Sequence, residues 1–240
     1  MAPMRTGCAK ASTRRENWRS RSGQFRATWA LAALVASGPL DVPAREHGAK
    51  RDPDSVIALV VHTVGGPACI ANTVQFRPIP RRDDDTQFWQ KILKSARGAE
   101  THYVIGRNGT AAPVMPPTEI AYHTVGINDV SIGIELVHRG DGTEPFEQPQ
   151  IVQLSELIKE VRQQFPNIPL SNIVTHSDID QRTCSCGGKP YHRRQDPGAN
   201  FPMQRVKDAV RLPGDDEYGP SSLPRLTGPA PARACSSYRR

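Results

Sequence analysis

The chain has 240 residues, 37% of them apolar, with 31 Lys+Arg against 24 Asp+Glu and a net charge of +7. That length suits one large domain or one domain with tails, and the absence of sustained heptads or of any apolar run near the ~20 residues of a membrane-spanning helix excludes a coiled coil, a fibrous repeat and a transmembrane span. The charge sits entirely in the ends: residues 1–44 hold seven basic and two acidic groups, 211–240 hold five and three, and 45–210 hold nineteen of each, so a nucleic-acid binder, which needs its positive surface on the folded part, is excluded as well.

Residues 1–44 come first. Seven basic residues from Arg5 to Arg26 precede a mostly apolar stretch from Ala27 to Gly38, and Val42-Pro-Ala44 follows with small residues at the spacing of a cleavage site. A basic segment, a short apolar segment and small residues form a secretory-signal pattern. It predicts export to the periplasm or outside the cell; the competing reading is a disordered tail on a cytoplasmic protein. Cys8 lies before the apolar stretch, so it is not placed as a lipoprotein cysteine.

The folded part is expected over residues 50–211. Val56 to Val61 is a continuous apolar run rich in β-branched residues and reads as a buried strand, with His62 directly after it and Gly65-Gly66-Pro67 breaking it. Thr86 to Ala96 carries Phe88, Trp89, Ile92 and Leu93 at helical spacing behind three aspartates, a helix N-terminus signal. Tyr103-Val-Ile105 reads as a strand entering the Asn108-Gly109 turn. Ile132 to Val137 is another strand, Glu147 to Phe165 an amphipathic helix, Ile173-Val-Thr175 a short strand ending at His176, and Phe201 to Val210 a closing helix. Residues 212–240, with five prolines among Gly and Ser, read as disordered. The pattern predicts an α/β fold: a single domain with a mixed central β-sheet flanked by helices, whose ligands bind in a cleft at strand ends.

Two histidines at the ends of apolar strands, His62 and His176, are the first functional clue, although a lone histidine is usually structural. The wording around them is more specific. Val60-Val-His62, Ala121-Tyr-His-Thr124, Asn128-Asp-Val-Ser-Ile-Gly-Ile-Glu-Leu136, Thr175-His-Ser-Asp-Ile179 and Gln195-Asp-Pro-Gly198 with Phe201-Pro202 occur in that order. Thr101-His-Tyr-Val-Ile105 and Arg107-Asn-Gly-Thr110 lie between the first and second of them. Over about residues 56–210 the chain resembles the zinc-dependent N-acetylmuramoyl-L-alanine amidases, which share a fold with peptidoglycan-recognition proteins.

The resemblance implies one catalytic zinc held by His62, His176 and Asp196, with a fourth position left for water. It implies an acid/base carboxylate at Glu135 and an oxyanion-stabilising cation at Arg194, where the family's Glu-using branch carries Lys. His123 is expected to line the cleft and touch substrate. Asn128 is either a substrate contact or a turn residue. Asp178 is expected to shape the ligand loop, and His102, His138 and His192 take no catalytic role. The implied partner is peptidoglycan or a muropeptide, cut at its lactyl-amide bond in cell-wall degradation or recycling, by a monomer. The alternative is a non-catalytic peptidoglycan-binding protein of the same fold.

His176 and Asp196 are 20 residues apart, about twice the family's common gap, and the extra stretch contains Cys184 and Cys186. Cys184 is thus a rival ligand to Asp196, since thiolate binds zinc well. Either cysteine could instead pair with Cys69 in an oxidising compartment, whereas a Cys184–Cys186 bridge would close too short a loop.

Overall fold

The computed structural model describes residues 47–95, 101–215 and 219–235. The N-terminal signal pattern and Cys8 lie outside the described residues. In chain order the elements are β1 (Ala58–Thr63), β2 (Pro67–Ile70), β3 (Thr73–Phe76), α1 (Asp85–Ser95), β4 (Tyr103–Ile105), β5 (Ala111–Pro113), β6 (Ser131–Leu136), α2 (Gln148–Gln164), β7 (Ile173–Thr175), α3 (His176–Ile179), β8 (Thr183–Cys186), β9 (Lys189–His192), α4 (Met203–Val210) and α5 (Ala232–Cys235).

Five strands form the main sheet in the order β5-β4-β6-β1-β7. β1 runs parallel to both β6 and β7, β4 runs parallel to β6, and β5 closes one edge antiparallel. Every residue of β1 and β6 is buried, because parallel strands in the middle of such a sheet are covered on both faces. That is why Val56 to Val61 is a continuous apolar run rather than an alternating one.

The two faces do different work. Leu59, Val61, Ile132, Ile134 and Leu136 meet Ile151, Leu154, Ile158 and Val161 of α2 and Val206 and Val210 of α4. The apolar stripe of α2 is thereby removed from water, at about 1.5–3 kcal/mol for each large aliphatic side chain. The opposite face carries Ala58, Val60 and Val174, packed with Ile127, Ile179 and Leu223. Alternation along the strands sends His62, Gly133 and Glu135 to this second face. One face is therefore wholly core, and the other combines a smaller core with a platform for polar groups.

Three features depart from the sequence reading. β2 and β3 pair as a hairpin where only a chain break was expected; its turn residues Ala71 and Asn72 have φ of 49° and 60°, and Ala-Asn is a weak signal for a turn that needs two positive φ values. The stretch between His176 and Asp196 holds a second hairpin, β8–β9, turning at Gly187-Gly188 with φ of 56° and 77°. The third departure is a correction: the proline-rich stretch 212–240, read as disordered, is built into the fold where it is described. Asp215 receives hydrogen bonds from the Arg162 guanidinium. Leu226 exchanges backbone hydrogen bonds with Ile179 and Gln181, and Thr183 with Gly228 and Ala230. Leu223 is 7% exposed within the second core. Side-chain burial and pairing offset the ordering entropy that composition alone leaves uncompensated.

Four cysteines form two disulfides, Cys69–Cys186 and Cys184–Cys235. The first ties β2 to β8, and the second ties β8 to the C-terminal segment. Cys184 is therefore engaged in a disulfide, which removes it as a thiolate ligand, and the partner of Cys69 is Cys186.

Candidate active site

The site is assembled from four places in the chain. β1 carries His62, and in the parallel register Glu135 of β6 lies directly beside it, so the two side chains stand together on the polar face. His176 opens the one-turn helix α3, where a capping box fixes the backbone: Thr175 Oγ1 accepts the Asp178 N–H at 3.2 Å, and Asp178 Oδ2 accepts the Thr175 N–H at 2.8 Å. Asp178 thus shapes the ligand loop as expected. Asp196 follows β9, and its carbonyl accepts the Ser177 N–H at 3.1 Å, joining this loop to the start of α3. Behind it, Gly198 has a φ of 104°, and a Cβ there would meet Gly142 N at 2.8 Å; no other residue lets the two loops approach so closely.

These placements bring three ligand atoms to one point. His62 Nδ1 is 2.9 Å from His176 Nδ1 and 3.3 Å from Asp196 Oδ2, and His176 Nδ1 is 3.0 Å from the same oxygen. All three residues are buried. Among the described residues this is the one place where three such ligands converge. Two imidazole nitrogens and one carboxylate oxygen are a donor set that zinc accepts, so the residues present fit the metal.

Electrostatics favour ligand-ready forms. Burial pushes the His176 ring down to about 4, opposed by the Asp196 carboxylate and aided by the neighbouring His62 ring and the charge of Arg194. The ring is consequently neutral at neutral pH and keeps a lone pair. Burial alone would raise the Asp196 carboxyl, but the His176 and His62 rings more than offset it and hold the group well below the usual carboxylate range. Arg194 is half-buried and close enough for its charge to act on His176.

The two residues expected at the substrate are engaged with the protein. His123 stands behind His62, on the side away from the converging atoms, with its Nδ1 3.1 Å from His62 Nε2. Asn128 Oδ1 accepts the backbone N–H groups of His123 and Thr124 at 3.0 and 2.7 Å, bonds that hold the turn leading into β6. His102 is structural: its Nδ1 accepts the Gly133 N–H, its Nε2 donates to the Glu119 carbonyl, and burial with the nearby Arg51 charge pushes it down to about 3. His138 stacks on Phe146 with ring centres 3.7 Å apart.

Sequence reasoning missed Asp180. This fully buried carboxylate grips Arg182 and Arg193, the residues at the two feet of the β8–β9 hairpin. It fixes the chain that runs on into Arg194 and Asp196. Its partner Arg193 is thirteen residues away, so no local spacing signals the pairing.

A mixed α/β sheet carrying a buried His-His-Asp cluster beside a glutamate has the donor set of a candidate metal site, and comparison with known proteins gives the family. The N-acetylmuramoyl-L-alanine amidase family profile matches residues 51–199, and the chain belongs to that family. It is 33% identical over 108 residues to the N-acetylmuramoyl-L-alanine amidase AmiD of Escherichia coli K12, covering 39% of this chain and 35% of that one. A Rickettsia conorii relative is 28% identical over 122 residues, 47% of this chain and 43% of the relative. The chain thus spans less than half the length of these curated relatives. Among solved structures, the Escherichia coli AmiD complex with anhydro-N-acetylmuramic acid-L-Ala-D-gamma-Glu-L-Lys aligns over 69% of this chain and 61% of that one, at 24% identity and a TM-score of 0.46.

Proposed function

We propose that this protein hydrolyses the amide bond between N-acetylmuramic acid and L-alanine, in peptidoglycan or in muropeptides released from it, using one zinc ion held by His62, His176 and Asp196. The observation that carries the reading is the convergence of those three ligand atoms on the face where Glu135 stands beside His62. Three protein ligands leave room for water and substrate, as in catalytic rather than structural sites. When bound, zinc would polarise the scissile carbonyl and make a water molecule more acidic. Glu135 takes the proton of the attacking water and returns it to the leaving amine. Arg194 offers its guanidinium to the negative charge that develops on the carbonyl oxygen. A carboxylate that is only 7% exposed, directly beside a ligand histidine, favours catalysis over mere peptidoglycan binding, because it stands within reach of a metal-bound water whose proton it can take.

Two disulfides support an oxidising compartment, hence export to the periplasm or beyond. The deciding experiment incubates the purified protein with muropeptides and with intact sacculi, with and without a chelator, and identifies the products by mass. Free stem peptide beginning at L-alanine, lost on chelation and regained with zinc, is expected. Intact muropeptides after incubation with the zinc-loaded protein would overturn the reading.

A further inference from the structure

A chain of hydrogen bonds runs from the back of His62 to a backbone carbonyl four residues before β6, and its direction can be worked out. The Ile127 carbonyl can only accept, so Ser131 Oγ, 2.6 Å away, must donate to it. The remaining capacity of that hydroxyl oxygen is to accept, and His123 Nε2 lies 3.2 Å from it and 3.4 Å from the Ser131 carbonyl, also an acceptor. His123 Nε2 therefore carries the proton, and His123 Nδ1 is a bare acceptor. It faces His62 Nε2 at 3.1 Å, with Thr124 Oγ1 3.0 Å from the first ring and 3.2 Å from the second. Two bare ring nitrogens at that distance would repel, so His62 Nε2 carries a proton for His123 or Thr124 to accept. The lone pair of His62 is then left on Nδ1, which is the atom facing His176 and Asp196. The proton that the 2.9 Å contact between the two Nδ1 atoms requires in the metal-free protein sits on His176 Nδ1, which donates to Asp196 Oδ2 at 3.0 Å, and a bound metal would displace it.

The fold spends a specific residue on this arrangement. Gly133 leaves the space that the His123 ring fills: a Cβ there would lie 2.6 Å from His123 Cγ and 2.8 Å from its Nδ1. Asn128 fixes the backbone that carries the ring. Ser131 and Thr124 are buried, at 0% and 1% exposed, so bulk water does not substitute for the chain.

We propose that His123, oriented by Ser131, is a positioning residue that locks His62 into the tautomer whose Nδ1 can bind a metal. The inference rests on the zinc reading of the site, yet its central claim can be read without metal. Long-range 15N–1H NMR of the metal-free full chain should show the His62 proton on Nε2; a proton on Nδ1 overturns the proposal. His123→Phe keeps a ring but removes the acceptor, and zinc affinity, measured by competition with a chromophoric chelator, should fall about 10–100-fold, the usual effect of losing such an outer partner. His123→Asn, whose amide oxygen can stand near the position of Nδ1, should recover most of that loss. Ser131→Ala, which frees His123 to switch tautomer with little change in packing, should weaken zinc binding in the same direction by less. Parent-like zinc affinity in both His123→Phe and Ser131→Ala overturns the proposal. A parent with the expected tautomer but no zinc affinity would overturn the metal reading and leave the tautomer relay standing.

Discussion

On the proposed mechanism, Glu135 and Arg194 are the residues whose substitution should separate chemistry from binding. Glu135→Gln keeps the shape of the side chain but cannot take a proton, so turnover should fall about 10²–10⁴-fold while zinc content, read by elemental analysis, stays at the parent level. Arg194→Ala should cost about 10²–10³-fold in turnover by analogy with losing one oxyanion donor, and Arg194→Lys should retain activity because it keeps the positive charge. Asp196→Ala should lose zinc, whereas Cys184→Ser should keep it, because Cys184 is engaged with Cys235. The metal-free protein should also lose stability as pH falls from about 6.5 to about 4. In the unfolded chain His176 takes a proton near its ordinary value, but in the folded chain burial delays protonation to about 4; acid in that window therefore favours the unfolded state. Melting temperatures of metal-free protein at pH 7 and pH 5 test this, and equal values would contradict it. At this scale the proposed metal ligands and Glu135 were legible because each sits in a short run of residues with a distinctive order. The placement of His123 was not legible, because its neighbours His62, Ser131 and Gly133 are brought to it only by strand pairing.

Elements were legible where their apolar period was long. The stripe of α2 predicted a helix over 147–165, and the helix spans Gln148–Gln164; β1 and β6 were likewise marked by their β-branched runs. Leu154, fully buried between α2 and the sheet, should cost about 2–5 kcal/mol when changed to alanine, measurable by urea denaturation with an unchanged m-value. The two hairpins were not read. β2 and β3 are half-buried or exposed, so no apolar alternation marks them, while β8–β9 announced itself only through Gly187-Gly188, a pair that also suits an open loop. Both hairpins have their pairing enforced from outside: Gly187 packs so closely on Asn72 that a Cβ would meet its carbonyl oxygen at 2.5 Å, and Cys69–Cys186 links the two.

Across the whole molecule, the disulfides join segments that are 117 and 51 residues apart. Closing loops of that size restricts the unfolded chain, and removing such a bridge typically costs about 2–5 kcal/mol. Cys69→Ser with Cys186→Ser should lower the melting temperature while leaving zinc stoichiometry near the parent value; a melting temperature equal to the parent's would show that the bridge adds no stability. Reduction of the parent by dithiothreitol should act in the same direction. The bridge from Cys184 to Cys235 was invisible in the sequence because its far end lies in a stretch whose composition argues for disorder.

That stretch also decides where the chain can be cut. A recombinant fragment trimmed at residue 211, the boundary that composition suggests, would lose Asp215 from Arg162, Leu223 from the second core and Cys235 from its partner. Such a fragment would carry Cys184 as a free thiol, open to oxidation and to cross-linking between copies. The workable unit for expression, crystallisation or fusion is therefore longer than the family's own match to this chain, and it extends at least through Cys235.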